Sequence, residues 1–201
     1  MTKTKKEYRE TQIKSGGKDL LSGGKYMQTP IIETERMILR PITVADAADI
    51  FERWTSDERV SKYVKWCTHA SVNDTIEWLK HEEESLLSDT SYQWGFTLKD
   101  SGYLFGSGGI FSHDDGVFEL GYNIMHKYWN QGYTTEAAKA MLDFAVKELK
   151  QKEFVAFHAV ENPASGAVMR KCGFVYEGNE VHTKFDGVTS YDTKRYRLLI
   201  P

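Results

Sequence analysis

The stretch "YWNQGYTTEA" (128–137) constrains the fold more than any other in the chain. It joins an apolar run, "VFELGYNIM" (117–125), to a segment in which Ala137, Ala138, Met141, Leu142, Ala145, Val146 and Leu149 recur at helical spacing. The first reads as a strand and the second as the apolar face of an amphipathic helix. Another run of strand length, "FVAFHAV" (154–160), follows. Strand, tight turn, helix and strand make a β-α-β crossover over residues 117–160, with two parallel strands in one sheet. The corner also has a chemical reading. The first N–H groups of a helix lack internal partners and the helix dipole is positive there. A strand-to-helix turn that can be approached closely is therefore an anion site. Gly132 permits the approach, and Thr134 and Thr135 add hydroxyl donors. The alternative is a plain corner, with Gly132 turning the chain and a threonine capping the helix.

The rest of the chain alternates in the same manner. "RMILRPI" (36–42) reads as a strand ended by Pro41, and "TVADAADIFERW" (43–54) as a helix with a capping-box start at Thr43 and Asp46. "SVNDTIEWLKHEEESLL" (71–87) is a second helix with the same kind of start, Ser71 and Asp74. "YQWGFTL", "YLFGSGGIF" and "VFELGYNIM" are three strands with turn residues between them. In "NPASGAVMRKCGF" (162–174), Asn162 is placed as an N-cap, Pro163 as the first helical residue and Gly173 just past the end. "HTKFDGVTSYDTKRYRLL" closes the chain as a hairpin with an Asp186-Gly187 turn. The order is β-α-α-β-β-β-α-β-α-β-β, an α/β (α+β) domain with a mixed, mostly antiparallel sheet flanked by helices.

Composition narrows the function. A length of 201 residues suits one domain, and 40% hydrophobic residues support a folded core. The net charge of −3 gives no basic field for nucleic acid. No apolar run approaches the length of a membrane span, and no signal-peptide core opens the chain. Cys67 and Cys172 are isolated, with no CxxC pair, so neither a metal site nor a disulfide framework is expected. A reduced, cytoplasmic protein is the expectation, with no membrane or direct nucleic-acid partner. Residues 1–28 carry six lysines and two Gly-Gly pairs, the composition of a flexible basic extension, leaving 29–201 as the domain. A further expectation is that Met27 is the true start. "SGGKY" would then be translated leader, since Gly-Gly-Lys is encodable by a purine-rich run like a ribosome-binding site.

No Walker lysine follows Gly132, and there is no GxGxxG. "FGSGGI" (105–110) is not followed by an amphipathic helix, so its glycines are expected in a strand against which something packs closely.

Four stretches, taken in order, resemble the GNAT acyltransferase superfamily. They are "ETERMILRPITVADAADIF" (33–51), "ELGYNIMHKYWNQGYTTEA" (119–137), "NPASGAVMRKCGF" (162–174) and the closing hairpin. Within the superfamily they look like the RimJ/RimL branch of ribosomal-protein N-terminal acetyltransferases. The resemblance implies acetyl-CoA as cosubstrate, with its pyrophosphate in the turn and its pantetheine arm along the strand at Tyr122, Asn123 and Ile124. The superfamily pattern Q/R-x-x-G-x-G/A falls on Trp129, Asn130, Gln131, Gly132, Tyr133 and Thr134, with Thr135 beside it. Trp129 replaces Gln or Arg, Asn130 a usual glycine and Thr134 a Gly or Ala, which makes the turn more crowded. The match to N-x-x-S gives Asn162 to the pantetheine and Ser165 to protonation of the departing thiolate. An Asn N-cap followed by a serine needs no function, so both readings stand.

Acyl transfer to an amine needs a neutral nucleophile, and the oxyanion can be held by a backbone N–H of the Tyr122 strand. An α-amine is roughly 10–15% neutral at pH 7 and a lysine below about 0.1%, a gap of about 3.5 kcal/mol. An N-terminal α-amine therefore needs far less help from a base. Glu119 is the first candidate base, against a reading as the polar side of a strand, and His158 is the second, against a reading as a hydrogen-bonded core residue. The acceptor is an amine: a protein N-terminus, a polyamine or an antibiotic-like molecule. Residues 59–71 and 185–193 are the expected specificity segments, with Tyr63, Trp66 and Tyr191 as pocket or packing residues. The acidic stretch "HEEESLLSD" reads as a solvated helix face attractive to cations. Monomer and homodimer are both compatible with the sequence. The rival of a different class is a module that holds acyl-CoA without turnover.

Overall fold

A computed structural model describes residues 29–85, 89–113 and 116–201. The N-terminal extension and the Met27 start lie outside the described residues. The described strands form one eight-stranded sheet in the order β1-β2-β3-β4-β5-β6-β8-β7. They are β1 (Ile32–Glu33), β2 (Met37–Arg40), β3 (Ser91–Leu98), β4 (Leu104–Ser112), β5 (Phe118–Ile124), β6 (Glu153–Ala159), β7 (Val175–Thr183) and β8 (Ser190–Leu199). Among them β5 and β6 pair in parallel and the other neighbours are antiparallel. The crossover between β5 and β6 is the one expected from the strand-turn-helix pattern. The fold is a mixed, mostly antiparallel sheet flanked by helices.

The helices are α1 (Ala47–Ile50), α2 (Glu58–Ser61), α3 (Val72–Ser85), α4 (Tyr133–Lys147) and α5 (Pro163–Lys171). The single helix expected over 43–54 is broken into three pitches. A 3-10 turn at Val44–Asp46 leads into α1, and a wider π-type turn covers Phe51–Thr55. The widening has a local cause, since the hydroxyls of Thr55 and Ser56 donate to the carbonyls five residues back, at 3.4 and 2.7 Å. The start behaves as expected, with the Asp46 carboxylate accepting from the Thr43 N–H at 3.0 Å and from Arg40 at 2.6 and 2.9 Å.

Two cores lie on opposite faces of the sheet. Successive strand residues point to opposite sides, so Phe105 joins Trp94, Phe96 and the Ala137, Met141 and Ala145 face of α4, while Leu104 joins Ile50, Trp54 and Leu79 under α1 and α3. The glycines of β4 sit in a strand, as expected. A Cβ at Gly109 would lie 2.5 Å from the Tyr92 carbonyl and 2.8 Å from the Phe111 ring.

Candidate active site

β5 and β6 run side by side only at Phe118–Phe154 and Glu119–Val155. Beyond these pairs no ladder joins them, although β5 continues to Ile124 and β6 to Ala159. A cleft of about 680 Å³ occupies the gap and reaches the α4 turn, the start of α5, residues 59–66 and the β7–β8 hairpin.

At one end the site is built from backbone. Asn130 and Gly132 both have left-handed backbones, with φ of 60° and 83°. Gly132 is the residue that caps α4, and among the described residues no side chain accepts from its first turn. The threonine-cap alternative therefore does not hold: Thr134 and Thr135 lie inside the helix and line the cleft. The turn leaves helix N–H groups and the positive end of the dipole available to an anion. Gly132 is required by its φ rather than by crowding, since an added Cβ would stand no closer than 3.5 Å to its neighbour, the Arg36 guanidinium.

Two of the side chains expected at the cosubstrate are engaged elsewhere. The Gln131 amide donates to the Lys127 carbonyl at 2.8 Å. Tyr133 packs its ring against Phe105 and Tyr128, at centroid distances of 5.2 and 5.8 Å, because an aromatic at this helix position faces the core. Trp129 lines the cleft, yet its indole N–H donates to the Ile124 carbonyl at 3.0 Å, so one end of the expected pantetheine strand is already bonded. On the same strand, the Asn123 amide donates to the Ser107 hydroxyl at 3.1 Å.

In the middle of the cleft the Tyr122 hydroxyl donates to the Ser165 carbonyl at 3.0 Å and meets the Ser165 hydroxyl at 3.1 Å. Burial pushes the Tyr122 phenol far above its usual range, so it stays protonated. Asn162 caps α5, accepting from the Ser165 N–H at 3.3 Å. Facing α5 from β6, His158 is 6% exposed and has its Nδ1 2.8 Å from the Ala159 carbonyl. A carbonyl only accepts, so Nδ1 carries the proton and Nε2 is a lone-pair acceptor. That Nε2 has no hydrogen-bond partner among the described residues, and burial holds the ring below the usual histidine pKa, hence neutral at pH 7.

At the other end the site is built from side chains. The Glu119 carboxylate lies 3.1 Å from both Lys65 Nζ and His113 Nε2. The two expected specificity segments meet here. The Phe185 N–H donates to the Lys65 carbonyl at 2.8 Å and Lys184 Nζ to the Ser61 carbonyl at 2.7 Å, which straps the hairpin to residues 61–66. Tyr63, Trp66 and Tyr191 all line the cleft. His182 sits beside them with its ring 4.6 Å from Phe157, its pKa pushed down by burial and by Lys65. The arrangement offers a carboxylate for proton uptake next to an enclosed aromatic wall.

Comparison with protein families matches residues 36–175 to the acetyltransferase (GNAT) domain. The chain belongs to the GNAT acetyltransferase family. Among its relatives, the uncharacterized N-acetyltransferase YoaA of Bacillus subtilis is 28% identical over 174 residues, covering 86% of this chain and 98% of YoaA. A GNAT-family acetyltransferase from Bacillus anthracis superposes with a TM-score of 0.71 at 27% identity, over 85% of this chain and 98% of that one. RimL, a ribosomal L7/L12 α-N-protein acetyltransferase solved with coenzyme A, superposes with a TM-score of 0.74 at 16% identity, over 85% of this chain and 98% of RimL. The last likeness is one of fold.

The sequence reading of this GNAT enzyme missed Arg36. Its backbone N–H and Nε donate to Glu136 at 2.8 and 2.7 Å, its Nη1 donates to the Gln131 carbonyl at 3.0 Å, and its guanidinium covers the Tyr133 ring at 4.1 Å. One side chain thus pins the turn and the first coil of α4. Burial works against the Glu136 charge, but hydrogen bonds from Thr34 and Arg36 outweigh it and hold the carboxyl below its usual range. Lys65 and His113 were missed as well. The Arg36–Glu136 and Lys65–Glu119 pairings join residues 100 and 54 apart in sequence. His113 and Glu119 are six apart but face each other across the β4–β5 turn, so only the charges themselves were legible. No cluster of three metal-ligating side chains occurs among the described residues, and no described helix is long and apolar enough to cross a membrane.

Proposed function

We propose that this acetyltransferase moves acetyl directly from acetyl-CoA to a primary amine bound in the same cleft. The observation that carries the reading is the uncapped α4 N-terminus opening on one cleft whose far end holds Glu119. In this reading the N–H groups of the first α4 turn hold the pyrophosphate, Thr134 and Thr135 add hydroxyls, and β5 from Tyr122 to Ile124 lies along the pantetheine. Acetyl-CoA supplies an acyl group activated as a thioester. The chain supplies the rest. A β5 backbone N–H faces the acyl oxygen as charge develops there. Glu119 takes the ammonium proton, through water, while Lys65 and His113 hold its carboxylate in place. The Ser165 hydroxyl gives its proton to the sulfur, so that a thiol leaves, and takes one back from solvent. A free thiol has a pKa of about 8.5, so this last step is an aid and not a requirement.

The strap between Phe185 and Lys65 favours a slender acceptor, a small amine or a chain terminus, over a lysine on a folded surface. A protein N-terminal α-amine, as in the RimJ/RimL branch, fits that opening, and so does a small molecule. The two free cysteines, Cys67 and Cys172, fit a reducing compartment such as the cytoplasm.

The test is acetyl-CoA-dependent release of free CoA across a panel of amines. The panel holds a peptide with a free N-terminus, the same peptide acetylated, a lysine peptide and small polyamines. Release with at least one amine supports transfer. A thermal shift with acetyl-CoA, worth about 2.7 kcal/mol at a hundredfold excess over Kd, without release from any amine would leave a binding module. No shift at all would remove both readings.

A further inference from the structure

The chain carries a primary amine of its own at the acceptor end of the cleft. Two lysines line the cleft among the described residues, Lys65 and Lys171. Lys65 Nζ donates to both oxygens of the Glu119 carboxylate, at 3.1 and 3.3 Å, and lies 5.7 Å from the centre of the Phe157 ring. An amine held at the base with an aromatic face beside it is the arrangement an incoming acceptor has to reproduce. The Lys65 backbone is fixed there, because its carbonyl accepts the Phe185 N–H of the strap. Its side chain is 35% exposed and that of Glu119 17%, so the pair is neither sealed nor freely solvated.

Other lysines give the comparison. Lys80 and Lys147 are also paired with carboxylates, Glu77 and Asp143, at 2.7 and 2.8 Å, but with both partners exposed on helix faces. An ordinary lysine is almost wholly protonated at pH 7 and needs a base before it attacks a carbonyl. A neighbouring carboxylate is thus common to all three lysines. What sets Lys65 apart is that its carboxylate stands in the cleft, on the strand proposed to hold the acyl group.

From this juxtaposition we infer that Lys65 is a site of self-acetylation, modified by its own chain when no acceptor fills the cleft. The inference rests on the amine-transfer reading above and adds a modification site to it. From Glu119 to Tyr122, β5 covers about 10 Å, within the sweep of a four-carbon stem about a fixed backbone. Lys65 Nζ gives one proton to Glu119, and its lone pair attacks the thioester carbonyl of acetyl-CoA. The C–N bond forms as the C–S bond breaks. A second proton goes from the nitrogen to the sulfur, so that CoA leaves as a thiol, and the first passes from Glu119 to solvent. The amide is stable, so each chain reacts once and passes no acetyl to an amine. The product has lost the Lys65 charge, and with it the ion pair to Glu119.

The experiment incubates the full chain with acetyl-CoA and no amine, and follows acetylation of each lysine by peptide mass spectrometry. Lys65 is expected to gain acetyl at least about tenfold faster than Lys80 and Lys147, since a placed base contributes about 10²–10⁴-fold. The reaction should be first order, at a rate that does not change with protein concentration. Acetyl phosphate, an acetyl donor without the CoA handle, is expected to show no preference for Lys65. Glu119→Gln should bring Lys65 down to the rate of the surface lysines, with the thermal shift in CoA reporting that the variant is folded. The wild-type ratio is informative without any variant. Equal rates at the three lysines would overturn the inference. So would a Lys65 rate unchanged in Glu119→Gln, a rate that rises with protein concentration, or the same preference with acetyl phosphate. CoA release with an added amine and no acetyl on Lys65 removes the self-acetylation and leaves the transferase. Acetyl on Lys65 with no release from any added amine leaves the modification site and removes the external acceptor. Neither product removes both.

Discussion

The two ends of the cleft are made of different material. The α4 end is backbone: two left-handed residues, an uncapped helix start and hydroxyls in its first turn. The Glu119 end is side chains, with Lys65, His113 and Glu119 converging from three separate segments. In the proposed reading a backbone cradle meets the pyrophosphate common to every CoA ester, and it tolerates sequence change because every residue except proline carries an N–H. A side-chain pocket recognises a particular partner and changes with each substitution. The difference teaches that changes at the two ends should be felt by different substrates.

Substitutions should separate the two ends. The largest effect is expected from Glu119→Gln, which should lower kcat by about 10²–10⁴-fold, the usual contribution of a general base, while acetyl-CoA binding measured by calorimetry stays near the wild-type value. A kcat within a few-fold of wild type would assign the base to water. Gly132→Val should do the reverse. It forces a β-branched residue to a φ of 83°, at a strain of about 1–3 kcal/mol. It should weaken acetyl-CoA binding by about tenfold or more, equivalent to at least about 1.4 kcal/mol, beyond its effect on the melting temperature. If the variant costs only stability, the turn is a corner and not a cradle.

Arg36→Ala should raise the acetyl-CoA KM by about three- to tenfold, since it removes the side-chain bonds to the turn carbonyl and to Glu136 at once. The pH dependence follows in sign. Glu136 is held below its usual pKa in the folded chain. Its contribution is therefore complete above the ordinary glutamate value of about 4.3 and is lost as pH falls through the lower folded value. The acid limb of a melting-temperature profile should be steeper in the wild-type chain than in Glu136→Gln. Identical limbs would mean that the clamp does not contribute to stability. The smallest effect is expected from Ser165→Ala, a loss of about two- to tenfold in kcat, because a thiolate leaves tolerably without help. Unchanged turnover would remove Ser165 from the proton path.

The same contrast explains what could be read from the sequence. The α4 helix, its glycine turn and the β5–α4–β6 crossover lie within residues 117–160, so periodicity and turn chemistry act over short spans and were legible. The strand placement of the β4 glycines was legible because no helix follows them. The Arg36–Glu136 clamp spans 100 residues, and a spacing that long carries no local signal. Glu82 was only half legible. The helix pattern put it on a solvated acidic face, and only the tertiary contact with Gln93 turns it into the cleft. The expectation of a uniform helix over 43–54 failed because hydroxyl-to-carbonyl bonds at Thr55 and Ser56 widen the turn, a competition that apolar spacing does not register.

The most direct test of the account is an initial-velocity matrix, with acetyl-CoA and an amine acceptor both varied and free CoA read continuously. Direct transfer in one cleft predicts release that depends on the amine, saturates in both substrates and gives intersecting double-reciprocal lines. Parallel lines, or release at the same rate without amine, would contradict it.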